Sequence, residues 1–564
     1  MSKKQFTVTS ALPYANGPLH IGHMAGAYLP ADIFVRYHRL KKNEVLFICG
    51  SDEHGAAITL RSKKENISPQ EIVDKYHNIN KQSFKDFGID FNIFHRTSSE
   101  LHHKTAREFF SNLLKNKKFI KKYTKQFFDE KNKQFLADRY ISGECPKCSY
   151  LHAFGDQCEK CGSTLSPEEL INPKSTISGD TPVKKETYHW YLPMKDHEKW
   201  LKDWIENGIL EGEKHHDPKS WRKQVLGQCK SWIDVGLRER AMTRDLEWGV
   251  KVPIENEEGK VIYVWMDAPI GYISATKQWA INNNKNWEDY WKNDNSKLIH
   301  FIGKDNIVFH CIIFPIILKL SNNFNLPTNV PANEFLNLEG EKLSTSRNWA
   351  IWLHEYLVDF KGQEDSLRYV LCATAPENKD ADFTWSDFQS KNNNELVAIF
   401  GNFINRVVVL TNKYWKGVVP EKFNLEEYDE KVLEKLSKYP ELIGDKIENF
   451  KFKDALKEVM NLARLGNKYL ADTEPWKIKK INEKRTKTIM NVSLQIAVSL
   501  SILSEPFLPF TSKKLKQILN LSNSSWDEAN IENLSPGKKI NKPQLLFSKI
   551  EDDVIEKQLQ KLNI

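Results

Sequence analysis

Hydrophobic and polar positions divide the chain into stretches of different period. Phe6-Thr7-Val8-Thr9-Ser10 is a β-branched run that predicts a strand, followed by a turn-rich stretch, Pro13-Tyr14-Ala15-Asn16-Gly17-Pro18, and a helical pattern from His20 to about Leu40. Val45-Leu46-Phe47-Ile48-Cys49 reads as a second, buried strand, closed by Gly50-Ser51-Asp52-Glu53-His54-Gly55 ahead of another helix. Strands alternating with helices predict a doubly wound parallel sheet, in which ligands bind beyond the carboxyl ends of the strands, where both polar loops fall. From about Lys117 to Val235 the texture changes to short strands, clustered cysteines and a Trp/Lys/His-rich stretch, as expected of an inserted domain. The α/β texture then resumes, with Val261 to Trp265 and Leu298 to Ile302 both strand-like.

Beyond a connecting region the chain turns all-helical from about Gln389. Leu396, Ile399, Phe400, Phe403, Ile404 and Val407 recur at the 3.6-residue period, and a second such helix runs from Ala455 to Leu470. Residues 544–564 suggest a strand and a charged helix that pack back on the body. The expected fold class is therefore α/β, a split Rossmann-like doubly wound sheet with an inserted domain and an all-α C-terminal domain. Its boundaries fall at 1–117 and 236–322 for the two halves of the sheet domain, 118–235 for the insertion, 323–388 for the connecting module, 389–543 for the helical domain and 544–564 for the last segment.

Composition supports several cores. With 564 residues, 40% hydrophobic and including 16 Trp, 18 Tyr and 30 Phe, the chain is neither a small stapled scaffold nor globally disordered. Its longest unbroken apolar run, Cys311 to Leu318, contains Pro315 and falls far short of the roughly 18 residues of a membrane span. No apolar segment follows Lys3 and Lys4, so a soluble, cytoplasmic protein without a secretory signal is expected. The net charge of +8 is compatible with a polyanionic partner but too mild to demonstrate one.

The eight cysteines say more than the charge. Cys145, Cys148, Cys158 and Cys161 form two Cys-x-x-Cys knuckles with nine residues between them, a spacing that closes a tetrahedral thiolate site on one zinc. Four thiolates leave no open coordination position, so the expected Zn²⁺ is structural.

Two further motifs carry chemistry. His20-Ile21-Gly22-His23 opens a helix, so its imidazoles share a face beside backbone N–H groups that are expected to be free at the positive end of the dipole. Gly22 removes a side chain where a base or phosphate could approach. Lys342-Leu343-Ser344-Thr345-Ser346 places a lysine in a Ser/Thr-rich loop, able to stabilise charge on a leaving pyrophosphate. Each alone has a plain alternative, a satisfied histidine pair and a solvated turn.

The two together, in this order on a split α/β sheet, resemble the signature pair of class I aminoacyl-tRNA synthetases. Ser10-Ala11-Leu12-Pro13-Tyr14-Ala15-Asn16-Gly17, Tyr263-Val264-Trp265-Met266-Asp267-Ala268-Pro269-Ile270-Gly271-Tyr272 and Phe301-Ile302-Gly303-Lys304-Asp305-Asn306 are similar to those of methionyl-tRNA synthetases, and the likeness runs over nearly the whole chain. It implies a two-step ligase that activates L-methionine with Mg²⁺-ATP and charges tRNA(Met). His20, His23 and Lys342 match the catalytic positions. Leu12, Tyr14, Trp265, Pro269, Tyr272 and His310 match the methionine pocket, and Asp52 the carboxylate beside the amino group. His20, Gly22, His23, Gly303, Lys304, Asp305, Lys342 and Ser346 match the ATP positions, and Asn402, Arg406 and Trp476 those that read the anticodon. The local alternatives are core packing for Trp265, Tyr272 and Trp476 and a helix N-cap for Asp52. One departure is plain: the fourth loop position, usually Lys, is Thr345, which leaves Lys342 or the neighbouring Arg347 to carry the charge. The competing readings are a synthetase for another apolar amino acid, which would have a longer insertion, and an idle RNA-binding paralogue. No further C-terminal dimerisation domain is evident, so a monomer is expected.

Overall fold

The β-branched and apolar runs of the first hundred residues become a parallel sheet. The computed structural model describes residues 3–155, 158, 160–161, 163, 165–257, 259–345, 347–522, 524–530 and 534–562. Across the sheet the strands run Pro327–Asn329, Ser296–Gly303, Gln5–Ser10, Glu44–Ser51 and Ile93–Arg96, all parallel, with Ala332–Asn333 pairing beside the end of Ser296–Gly303. The chain winds outward from the first strand on one side and returns on the other. The switch point therefore lies between Gln5–Ser10 and Ser296–Gly303, paired up to Ser10 and Phe301. There the following loops diverge and leave a crevice.

Beyond the first strand the helical pattern is interrupted once. After a short turn, Ile21–His23, the backbone widens into a π-helical turn, Met24–Tyr28, before the α-helix Leu29–Leu40. The Asn333 amide donates to the Ala25 carbonyl at 2.7 Å inside that turn, giving an acceptor outside the i→i−4 pattern a partner.

The insertion is built on a long hairpin, Ile120–Asp129 against Val183–Leu192, in register from Ile120–Tyr191 to Phe128–Val183. A small sheet of Ala153–Phe154, Ile141–Glu144 and Ile171–Ser175 carries the cysteine cluster.

Two expectations are corrected. Val261 to Trp265 is not a strand of the parallel sheet: Lys260–Ile262 pairs antiparallel with Thr243–Asp245, and Trp265 lies in the first turn of the helix Val264–Asn283. That helix is buried around most of its circumference, so its apolar start has no period by which to tell helix from strand. Nor does a strand form at the start of the last segment. There the amide side chains of Asn392, Asn393 and Gln389 bond the backbone of Ser548 and Ile550, in place of a neighbouring strand. The charged helix Asp552–Lys561 does pack back, through Gln558 and Lys561 on Asp359.

The helical domain holds Asn402–Trp415, Glu427–Glu448, Phe452–Thr473, Glu483–Leu503 and Pro509–Ile518. Among the described residues, Glu483–Leu503 is the one helix long and apolar enough to cross a membrane, and 94% of its apolar window is buried inside the protein. Its apolar surface is the centre of this domain's core. Arg368, fully buried, joins the parts: it pairs with Asp32 at 2.7 Å and donates to the Phe507 carbonyl at 2.9 Å. A buried pair of this kind is costly to break from one side, because the remaining charge has no solvent to turn to.

Candidate active site and cysteine cluster

The histidine motif caps its own helix. The N–H of Gly22 donates to His20 Nδ1 and the N–H of His20 to His23 Nδ1, each at 3.1 Å, and the rings stack at 3.7 Å. These backbone donors are therefore not free for an anion, contrary to expectation, and Ile21 N–H is taken by the Ile351 carbonyl. The consequence is chemical. Each Nδ1 accepts, so each neutral ring carries its proton on Nε2 and offers an N–H outward. Burial enforces neutrality, lowering His20 far below the usual imidazole range and His23 to about 4.

The second motif reaches this turn through backbone pairing. Trp352 bridges His20, and Leu353 N–H donates to the Leu19 carbonyl at 2.8 Å, so the segment after the loop runs beside the histidine turn. Lys342, in Glu341–Lys342, pairs across to Asn337 and carries its ammonium 5.2 Å over the Phe335 ring. A Cβ at Gly22 would stand 2.6 Å from Leu343 Cδ1, so the bare glycine lets the Leu343 side chain lie against the histidine turn. Ser346 lies outside the described residues.

Both motifs line one cavity of about 490 Å³ at the switch point, together with Leu12, Tyr14, Asp52, Trp265, Pro269, Tyr272, His310, Gly303 and Asp305. One wall is apolar and aromatic, with Trp265 edge-on to Phe309 at 5.0 Å and Leu12 seated against the bare backbone of Gly271. The polar groups on this wall satisfy each other: His310 Nδ1 donates to the Asn306 carbonyl at 3.0 Å, and its Nε2 accepts from the Tyr272 hydroxyl at 2.9 Å. Burial lowers His310 to about 4, consistent with that neutral tautomer. Asp52 is different. At 3% exposure its carboxylate meets, among the described residues, the His54 backbone N–H at 3.4 Å, and burial followed by the nearby Asp267 charge pushes it up to about 8. Nor is Asp52 an N-cap, because the following helix starts at Ala56 with Gly55 before it. A wider cleft of about 1080 Å³ adjoins the cavity through Tyr14, His23 and Trp265, and Arg61, Lys64, Lys75, Arg139 and Arg244 line it.

Lys304 is not brought to the cavity. Its ammonium is held by Glu334 at 2.6 Å and Asp380 at 2.8 Å, fastening the loop to the connecting module. Asp305, beside it, does line the cavity, and burial raises its carboxyl against the opposing pull of Lys304 and Lys342.

The four cysteine sulfurs lie within 4.8 Å of one another, with Cys145–Cys161 at 3.8 Å and Cys148–Cys158 at 3.6 Å. Tetrahedral coordination at a metal–sulfur distance of about 2.3 Å requires sulfurs about 3.8 Å apart, so this cluster fits one metal ion. In the helical domain, the Arg406 guanidinium lies 4.7 Å over the ring of Trp476, which is 37% exposed in a short helix, Pro475–Ile478. Asn402 is exposed one turn before Arg406.

A family model described as class I tRNA synthetases (M) matches residues 6–408, and one described as the anticodon binding domain of methionyl tRNA ligase matches residues 419–563. The chain belongs to the methionyl-tRNA synthetases. Methionine-tRNA ligases of Christiangramia forsetii and Bacteroides fragilis are each 59% identical to it, over 99% of this chain and 81% of theirs. A solved methionyl-tRNA synthetase of Mycobacterium tuberculosis, in complex with methionyl-adenylate, has the same fold, with a TM-score of 0.79 at 20% identity over 96% of this chain and 99% of that one. The chain is thus a class I methionine-tRNA ligase, with a parallel-sheet catalytic part and a helical anticodon domain.

Several lining residues were missed by sequence reasoning. Tyr28, Ala268, Asn306, Phe309, Glu334 and Phe335 all face the synthetase cavity. Phe309 had a usable signal, an aromatic directly before His310 on the element after the Gly303 strand. Tyr28 had none: it ends a π-helical turn whose Ala25 carbonyl is met by the distant Asn333 amide, a pairing no local pattern shows.

Proposed function

We propose that the 490 Å³ cavity is where this synthetase joins L-methionine to ATP before passing the methionyl group to the 3′ end of tRNA(Met). The observation that carries the assignment is the convergence in one cavity of a buried carboxylate with no Lys or Arg paired to it among the described residues, an apolar aromatic wall, the two imidazoles of His20 and His23, and Lys342. A thioether offers little to grip but polarizable surface, so selectivity for methionine rests on shape, supplied by Leu12, Tyr14, Trp265, Pro269, Tyr272 and His310. Asp52 then pairs with the amino group, completing the charge that the cavity lacks.

In the first step a methionine carboxylate oxygen attacks the α-phosphorus and the bond to the bridging oxygen breaks, releasing pyrophosphate. His20 and His23 donate Nε2–H to the triphosphate, with Gly22 beneath the nucleotide, and Lys342 meets the charge that develops on the leaving group. Gly303 and Asp305 stand by the ribose. Mg²⁺ would arrive with ATP and neutralise its phosphates. In the second step the 2′-hydroxyl of the terminal adenosine attacks the methionyl carbonyl and AMP leaves, the RNA end entering by the cation-lined cleft.

Cys145, Cys148, Cys158 and Cys161 would hold one Zn²⁺, supplying a covalent-like closure to a small sheet. Trp476, with Arg406 on its ring and Asn402 nearby, would stack on and read anticodon bases. The reading includes a monomer acting in the cytoplasm, where charged tRNA is consumed. ATP–pyrophosphate exchange across a panel of amino acids tests the core of it: methionine alone is expected to support exchange. Comparable exchange with another amino acid, or none with any, overturns it.

A further inference from the structure

Behind Asp52 lies a row of ionisable groups, His54 of the wider cleft among them, that no role assigned so far uses. Asp267, fully buried on the helix Val264–Asn283, accepts from His54 Nδ1 and from His102 Nε2, each at 2.6 Å. His54 Nε2 lies 3.3 Å from His103 Nε2, and His102 Nδ1 lies 2.9 Å from the Ser274 hydroxyl. Contacts of 2.6 Å between imidazole nitrogen and carboxylate oxygen are hydrogen bonds, with a proton between the atoms.

A buried carboxylate with two imidazoles is an expensive way to fill a core, and apolar residues of like volume would serve packing as well or better. Its position suggests another use. His54 follows Asp52 by two residues, and its own N–H is the donor that meets the Asp52 carboxylate. Trp248 fixes the segment from above, donating to the Glu53 carbonyl at 2.6 Å with its ring edge-on to His54.

We propose that His54, clamped on Asp267, is a positioning residue that holds the Asp52 carboxylate in place and ready to receive the ammonium of methionine. The proposal rests on the reading of Asp52 as the ammonium anchor. Charge counting supports it. Two carboxylates, Asp52 and Asp267, sit close together under one cavity. Glu53 adds only the last of the pushes on Asp52, because it is paired with Arg96 at 2.9 Å and bonded by Ser51 and Ser98. Tyr14 and Tyr272 face Asp52 but stay neutral, burial raising both phenols far above their ordinary value. His103 is held neutral at about 4, by burial and then by His54 and His102, with Arg107 adding to the same push. That leaves the His54 imidazole, clamped on Asp267, as the cation nearest the Asp52 carboxyl. Burial opposes the charge on His54, but Asp267 outweighs it and raises the imidazole above its usual value. A charged His54 donates Nδ1–H to Asp267 and Nε2–H to neutral His103, which matches both contacts.

Removing the His54 cation leaves Asp52 beside Asp267 with less compensation. Asp52 then keeps its proton to higher pH, and fewer molecules present a carboxylate at neutrality. The test is pyrophosphate exchange from pH 6 to 9 with His54→Gln, Asp52→Asn and the double variant. His54→Gln is expected to raise the methionine KM about tenfold at pH 7, to leave the ATP KM unchanged, and to move the acid limb of kcat/KM for methionine about one unit upward. In the Asp52→Asn background it should add no further loss. His102→Gln, which strips the other imidazole from Asp267, should move the same limb in the same direction. An unchanged methionine KM and pH limb in His54→Gln, with Asp52→Asn strongly impaired, overturns the inference and spares the anchor. A His54→Gln loss that is as large in the Asp52→Asn background also overturns it. Asp52→Asn with a normal methionine KM overturns the anchor itself.

Discussion

Tyr14 and Asp52 face each other across an isolated parallel bridge. Asp52 donates its N–H to the Pro13 carbonyl at 2.8 Å, and Ala15 donates back to the Asp52 carbonyl at 2.9 Å. The loops after the first two strands are thereby stitched together exactly where the sheet ends, and the Asp52 carboxylate is left facing the cavity. Burial is the first reason, and the Asp267 charge the second, that its carboxyl is pushed up to about 8.

The sign of the resulting pH effect follows. Below about pH 8 the empty site holds Asp52 protonated, and methionine needs it ionised, so binding should expel a proton. At pH 7 the larger part of one proton per methionine is expected to be released, and the release should shrink as pH rises through about 8 toward the range where free methionine loses its own ammonium proton. Calorimetry in buffers of different ionisation enthalpy counts it. Asp52→Asn should release none, and a wild-type count near zero at pH 7 would show that Asp52 is already ionised.

Lys342 and Thr345 are separated by the structure. Lys342 lines the inner cavity and its charge is felt by Asp305, whereas Thr345 lines the outer cleft. Arg347, the other nearby cation, lies outside both linings, its guanidinium 3.3 Å from Glu341 at an exposed site. Lys342→Ala is therefore expected to slow adenylate formation about 100-fold or more, the scale of losing one charge-stabilising group. Thr345→Ala should leave it nearly unchanged. Pyrophosphate exchange measures both, and similar losses would sink this division of roles.

Much of this site was legible because short motifs fixed it. Leu12, Tyr14, Asp52, Trp265, Pro269, Tyr272 and His310 were named through the resemblance to the synthetase family, and the cavity collects all seven. What escaped depends on partners far along the chain. The π-turn at Met24–Tyr28 exposes an acceptor to Asn333, and Lys304 leaves the site for Glu334 and Asp380. No local pattern records such pairings. The helix Val264–Asn283 misled for a different reason: buried nearly all round, it shows neither period 2 nor period 3.6.

The cysteine cluster should prove indispensable to its small sheet. The core beside it is Phe127, Leu136, Tyr140, Ile141, Ala153, Leu165 and Leu170 with Cys145 and Cys158, too few groups to hold a fold alone. Structural zinc binding contributes about 10–16 kcal/mol in comparable small sites. Metal analysis should find about one zinc per chain. Cys148→Ser or a strong chelator should make residues 141–175 protease-sensitive while the helical domain keeps its far-ultraviolet signal. Full protease resistance after the metal has been removed would refute the structural role.

Trp476 and Arg406 allow the two halves of the reaction to be tested apart. The ring is partly exposed and carries the Arg406 guanidinium on its face, which a stacked base can replace or join. If the indole stacks on an anticodon base, its loss costs about 1–3 kcal/mol of tRNA binding. That corresponds to a drop of about 5- to 150-fold in kcat/KM for tRNA at unchanged methionine activation. Trp476→Phe, which keeps a stacking face, should recover part of it. A core role predicts otherwise: Trp476→Ala would lower thermal stability and exchange activity together, and the phenylalanine variant would fail to separate them. Measuring aminoacylation, exchange and melting temperature on the same three proteins decides between stacking and packing, because only stacking leaves the last two in place.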